Sequence, residues 1–202
     1  MTFIKFCGMT RPQDIAVAVE LGVDAIGIVL WPGSPRSVSL DAAATLVAMI
    51  PENTKAVGVF VRPSRDEVLQ AVEQTGIRVA QLHGVNEVGF NDLECELWAA
   101  VSLSSNGALK SASADHMLIL DAHDPVKHGG TGQTIDWRRA SEVAATRPII
   151  LAGGLTPMNV SEAIRTVRPF GVDVASGIET TAGVKSEPAM RAFVAAVRRT
   201  ER

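Results

Sequence analysis

The sequence predicts an α/β fold, a (β/α)8 TIM barrel with a parallel eight-stranded sheet, and three observations point to it. Short runs rich in β-branched and apolar residues alternate with stretches of helical period, eight of each, along all 202 residues. Each strand-helix unit takes roughly 25 residues, and helical crossovers demand parallel strands that eight units satisfy by closing on themselves. No GxGxxG follows the first run, which counts against an open dinucleotide-binding sheet, the other architecture this alternation allows.

The strand runs are 3–7, 25–30, 56–61, 79–82, 97–101, 117–120, 148–151 and 172–175. The helical segments between them cover 13–21, 41–49, 65–74, 87–94, 105–113, 137–146, 157–167 and 187–199. Three helix starts carry their own signals. Thr10 with Gln13 and Ser64 with Glu67 read as capping boxes, and Thr156-Pro157 puts proline at a first helical position. The pattern is weakest over 86–115. No linker, low-complexity run or composition break divides the chain, so 1–202 reads as one catalytic domain.

Composition bounds the function. A 47% hydrophobic and 20% charged chain lies outside the regime of disorder, and a net charge of -3 offers no excess of cations to release counterions from nucleic acid. The two cysteines, Cys7 and Cys95, match neither a disulfide framework nor a metal-ligand spacing. The N-terminus lacks a basic region followed by an apolar one, and no apolar run reaches membrane-spanning length. The expectation is a cytoplasmic protein that binds a small molecule, with no membrane or nucleic-acid partner, as a monomer or weak homodimer.

In such a barrel the functional groups gather where strands end. The first strand ends at Cys7, with Lys5 on the same face; a buried small hydrophobe is one reading, and a thiol whose ionisation Lys5 favours is the other. Asp121 ends the sixth strand, either as a turn former or as a carboxyl whose pKa is raised for proton transfer. Arg36, on the loop after strand two, is either solvated or a bidentate carboxylate clamp. His83, at the end of strand four, is either a site residue or satisfied by backbone groups.

The anion signal is more specific. Gly153 and Gly154 follow strand seven, and Ser176 and Gly177 follow strand eight with a segment able to open a short helix, the recurrent place for phosphate in this fold. The loop 127–133, KHGGTGQ, lacks the ending of a nucleotide-binding loop. It reads either as a lid, with the amides of Gly130 and Gly132 in reach of the phosphate, or as a solvated connection.

The segments Lys5–Thr10 (KFCGMT), Gly58–Val61 (GVFV), Gln81–Gly84 (QLHG), Leu120-Asp121, Gly129–Gly132 (GGTG) with Asp136-Trp137, Leu151–Leu155 (LAGGL) and Val174–Glu179 (VASGIE) run end to end along the chain. In this order and spacing they resemble the phosphoribosylanthranilate isomerases of tryptophan biosynthesis. The resemblance implies an Amadori rearrangement of phosphoribosylanthranilate by a (β/α)8 barrel that needs no metal and no cofactor. Carried over by residue, it implies Cys7 as general base, Asp121 as general acid and Arg36 on the anthranilate carboxylate. Gly154, Ser176 and Gly177, helped by the loop of Gly130 to Gly132, would hold the phosphate. Ala99, Ile135, Ala175 and Ser186 depart from residues common in the family. Other phosphate-binding barrels, such as ribulose-phosphate epimerases or indole-glycerol-phosphate synthases, would need metal ligands or catalytic lysines and glutamates at strand ends that are missing here. A binding barrel without turnover is opposed by the presence of both Cys7 and Asp121.

Overall fold

The computed structural model describes residues 1–85, 87–103, 116–121 and 136–201. Eight parallel strands close into a barrel in chain order, β1 (Phe3–Phe6), β2 (Ala25–Val29), β3 (Lys55–Val61), β4 (Val79–His83), β5 (Glu96–Ser102), β6 (Met117–Asp121), β7 (Ile149–Ala152) and β8 (Gly171–Val174). Every expected strand is present, with no boundary displaced by more than one residue. Closure is made by β1 on β8, where Phe3 to Phe6 pair in register with Gly171 to Val174. Helices α1 (Pro12–Glu20), α2 (Leu40–Val47), α3 (Arg65–Thr75), α4 (Trp137–Ala144), α5 (Val160–Val167) and α6 (Glu187–Arg198) are described around it. A two-stranded hairpin, β9 (Glu179–Thr181) and β10 (Val184–Lys185), stands between β8 and α6. Among the described residues no helix is long and apolar enough to cross a membrane.

The period of two along each strand sorts its side chains between two cores. Ile4 and Phe6 face outward into the layer between barrel and helices, where Phe6 meets Phe193 of α6 edge-on with centroids 6.0 Å apart. Lys5 and Cys7 face inward. The barrel's lower interior is filled by Ala25, Val57, Val79, Trp98, Ile119 and Ile150, and Phe3 packs its ring edge-on to Trp98 at 6.1 Å. The apolar plug leaves the opposite, C-terminal end of the barrel for chemistry. Ala99 is wholly buried in the outer layer, facing away from the barrel interior, so its departure from the family pattern does not reach the interior.

Three local expectations need correction. Ser64 caps α3 with a complete capping box, its Oγ accepting from the Glu67 amide while Glu67 reaches back to the Ser64 amide. Thr10 does not cap α1: its hydroxyl donates to Gly183 O at 2.5 Å, and the N-cap is Arg11, which makes no side-chain cap. Pro12 preorganises that first turn without help, which frees the hydroxyl to tie down the hairpin. The helix expected from Pro157 begins at Val160; residues 157–159 form a turn in which Asn159 Oδ1 accepts from the Thr156 amide. The segment 87–94 contains only a 3-10 turn, Glu87–Phe90, because Gly89 and the turn-forming pair Asn91-Asp92 interrupt it. The helix expected over 105–113 lies outside the described residues.

Candidate active site

The C-terminal end of the barrel opens into a cavity of about 360 Å³. Its wall includes Cys7 at the end of β1, His83 at the end of β4 and Asp121 at the end of β6. Gly153 and Gly154 from the loop after β7, and Ser176 from the loop after β8, complete the side where the anion was expected. The sequence expectation thus named groups from five strand ends that border one space.

Below Cys7 lies an ion pair that the sequence reading found only in half. Lys5 is fully buried, and its Nζ stands 3.1 Å from both carboxylate oxygens of Asp173. Asp173 lines the cavity and is almost as buried, the one charged residue in the run Gly171–Val174. A charge in so apolar a strand was the available signal, since an aspartate is seldom buried without a partner. Burial by itself would depress the Lys5 ammonium; Asp173 and Cys7 outweigh it and hold Lys5 above its ordinary value. Burial pushes the Cys7 thiol up; Lys5 and Lys185 pull it down and Asp173 opposes them. The net direction is upward: Lys5 favours the thiolate, as the sequence suggests, and burial outweighs it.

His83 is driven down to about 4, by burial first and then by Lys5, and is therefore neutral at pH 7. Gln81 Nε2 lies 2.9 Å from His83 Nε2. A neutral ring that accepts there carries its proton on Nδ1. Gln81 also lines the cavity, and its buried Oε1 has no partner among the described residues. Gln81 falls within the segment Gln81–Gly84, from whose sequence no role for it is evident.

Gly153 and Gly154 have φ of 95° and 64°, left-handed conformations that turn the backbone at the mouth of the cavity. Asn159 Nδ2 braces this turn by donating to Gly154 O at 3.0 Å. Ser176 opens a 3-10 turn, Ser176–Ile178, as the sequence suggested. Gly177 sits behind it against the neighbouring loop, where an added Cβ would fall 1.9 Å from Leu155 O. Gly130 and Gly132, with the loop 127–133, lie outside the described residues, as does Ile135.

Arg36 lies beside this space and is not among the cavity-lining residues. Its stem crosses Gly8, so that a Cβ on Gly8 would meet Arg36 Cδ at 2.5 Å. Glu179 grips the guanidinium in a fork, accepting from Nε at 2.9 Å and from Nη2 at 2.6 Å. Lys185 in turn donates to Glu179 Oε1 at 2.7 Å and to Cys7 O at 2.6 Å. The sequence reading missed both residues in these roles; nothing in spacing foretells a contact made across the hairpin. Ala175 packs on Cys7, Val29 and Val59, and Ser186 caps α6 through the Ala189 amide, a task that serine shares with the commoner aspartate.

Cys95 is partly buried against the cluster beneath α3. Among the described residues no group of three or more His, Cys, Asp or Glu could hold a metal ion. The arrangement offers one titratable thiol, one carboxyl at Asp121, a neutral imidazole and a glycine-rich anion corner around a substrate-sized space.

The chain matches the family model described as N-(5'phosphoribosyl)anthranilate (PRA) isomerase over residues 4–196. It is 40% identical over 199 residues to the N-(5'-phosphoribosyl)anthranilate isomerase of Streptococcus pneumoniae, covering 98% of this chain and 96% of that one. The solved phosphoribosyl anthranilate isomerase of Thermotoga maritima superposes with a TM-score of 0.89 at 32% identity, over 98% of this chain and 100% of that one. A phosphoribosyl anthranilate isomerase in complex with reduced 1-(o-carboxyphenylamino)-1-deoxyribulose 5-phosphate superposes at 0.85, with 29% identity and the same coverage. By the family model over nearly its whole length and by this degree of identity, the chain belongs to the N-(5'-phosphoribosyl)anthranilate isomerase family.

Proposed function

We propose that the chain catalyses the Amadori rearrangement of N-(5-phosphoribosyl)anthranilate to 1-(2-carboxyphenylamino)-1-deoxyribulose 5-phosphate in L-tryptophan biosynthesis. It is an aldose-ketose isomerisation by general acid-base catalysis. The observation that carries this reading is that the thiol of Cys7 and the carboxyl of Asp121 border one cavity whose other side is lined by Gly153, Gly154 and Ser176.

In this reading Asp121, protonated, gives its proton to the ribose ring oxygen. The C1'–O4' bond breaks as the anilino nitrogen lone pair forms an iminium. Cys7 then removes the C2' proton, and the C–H electrons become the C1'=C2' bond of an enolamine while the nitrogen recovers its lone pair. Transfer of the enol proton from O2' to C1' gives the ketone. The base in this step is the thiolate of Cys7, which burial disfavours and which the neighbouring ammonium groups of Lys5 and Lys185 and the positive charge of the iminium favour. Each proton-transfer group is worth about 10² to 10⁴ in rate. The backbone of Gly153, Gly154 and the Ser176-Gly177 turn holds the phosphate and Arg36 the carboxylate, so the reacting carbons are fixed from both ends. The substrate is a small molecule, the setting cytoplasmic, and the chain a monomer or weak homodimer.

The test is to supply freshly made phosphoribosylanthranilate to the folded protein and follow the loss of its fluorescence. First-order decay that scales with enzyme supports the assignment; a flat trace removes it.

A further inference from the structure

Arg36 presents a difficulty for the carboxylate role just proposed: it already holds a carboxylate. Glu179 occupies Nε and Nη2, and a one-to-one ion pair is electrically neutral, with little to attract a second anion. The hairpin supplies the missing charge. Lys185 closes β10 with its side chain wholly shielded, and its three donors are used by Glu179 Oε1 at 2.7 Å, Cys7 O at 2.6 Å and Ala175 O at 3.1 Å. The Gly183 amide gives Glu179 its fourth hydrogen bond, donating to Oε1 at 3.2 Å. Arg36 at +1, Glu179 at -1 and Lys185 at +1 leave one net positive charge.

Geometry matters as much as charge. A guanidinium has five N–H groups, of which Glu179 takes the Nε–H and one on Nη2. The remaining pair of adjacent donors, on Nη1 and Nη2, forms the outer fork that matches a carboxylate. An unheld arginine would sample many rotamers; one clamped along its inner edge presents that outer fork in a fixed plane. The clamp lies beside Cys7, because Arg36 crosses Gly8 and Lys185 holds the Cys7 carbonyl.

We propose that Glu179 and Lys185 are positioning residues for the carboxylate end of the substrate. Glu179 sets the plane of Arg36, and Lys185 keeps the three-residue cluster positive while fixing the backbone of Cys7. This rests on the reading of Arg36 as the carboxylate clamp, and the experiment separates the two.

Calorimetric affinities are measured for reduced 1-(o-carboxyphenylamino)-1-deoxyribulose 5-phosphate and for its counterpart lacking the ring carboxyl. The quantity read is the ratio of the two affinities in wild type, Arg36→Met, Glu179→Gln, Lys185→Met and Lys185→Arg. Wild type should prefer the carboxylated ligand, and Arg36→Met should lose that preference; failure of either overturns the clamp itself. Glu179→Gln and Lys185→Met should each cut the preference about tenfold, the value of a charge-assisted hydrogen bond, with the carboxyl-free ligand bound within about twofold of wild type. Lys185→Arg should restore most of it. Equal losses for both ligands would mean a merely structural part and overturn the proposal, as would an undiminished preference in both variants. Glu179→Gln also adds net charge, so a preference that rises in that variant would show charge acting without positioning and overturn it too. Glu179→Gln keeps the side chain's shape and decides the matter should Lys185→Met fail to fold.

Discussion

Gly27, in the middle of β2, is the position where a single methyl group should separate catalysis from folding. A Cβ there would stand 2.9 Å from Cys7 Sγ, 3.0 Å from Lys5 Nζ and 3.3 Å from Cys7 Cα. Ordinary contact lies near 3.5–4.0 Å, so Gly27→Ala must drive the thiol and the ammonium back by roughly 0.5–1 Å. Overpacking of that size costs about 1–3 kcal/mol, and at about 2–4 °C per kcal/mol for a chain of this length Tm should fall by about 2–12 °C. The chemistry should suffer more. A reacting group misplaced by about 1 Å costs on the order of 10²-fold in rate, so kcat should drop near that figure while the phosphate corner, two strands away on the other side of β1, is untouched. Steady-state kinetics on phosphoribosylanthranilate, with inorganic phosphate as competitive inhibitor, read both effects at once. A variant with kcat within twofold of wild type would show that Cys7 is not held by this contact, and a phosphate inhibition constant that moves with kcat would show the damage to be general.

Cys7→Ala and Asp121→Asn should each lower kcat by about 10² to 10⁴ with smaller changes in KM, and near-normal turnover in either would remove that residue from its proposed part. Because the Cys7 thiol is pushed above its ordinary 9.0, the basic form grows as pH rises, and in Asp121→Asn, where the acid no longer titrates, the residual kcat/KM should keep climbing with pH on the alkaline side; a plateau by pH 7 in that variant would refute the assignment of Cys7 as the base. His83 falls from 6.5 to about 4 on folding, so its neutral form stabilises the fold above pH 6.5 and that contribution is lost as pH falls to 4. The gap is worth up to ~3 kcal/mol. Urea unfolding midpoints at pH 7 and pH 4.5 should fall less in His83→Gln than in wild type; parallel losses would contradict it.

The barrel was legible in the sequence because each strand is short, β-branched and bounded by helical period, a local signal that β1 through β8 all carry. The chemistry at strand ends was legible for the same reason, since Cys7, His83 and Asp121 mark where an apolar run stops. What escaped is what depends on distant partners. Asp173 gave a faint sign as a charge inside an apolar strand, yet its pairing with Lys5 joins residues 168 apart and is made only by ring closure. Glu179, Lys185 and Arg36 meet across the β9–β10 hairpin, which propensity does not announce in strands this short. The sign of the Cys7 shift was misjudged because a lysine two residues away is visible in sequence and the burial that outweighs it is not. Thr10 shows the same limit at a helix start, where a capping pattern lost its hydroxyl to Gly183.

The β1–β8 seam and the hairpin beyond it also dictate when a newly made chain can work. Until residues 171–185 have left the ribosome, Phe3 to Phe6 form an unpaired sheet edge, and the Cys7 amide and carbonyl lack Val174 O and Lys185 Nζ. A nascent chain stalled before Gly171 therefore carries its thiol on an open strand, prone to pair with other chains and with the base not yet held in place.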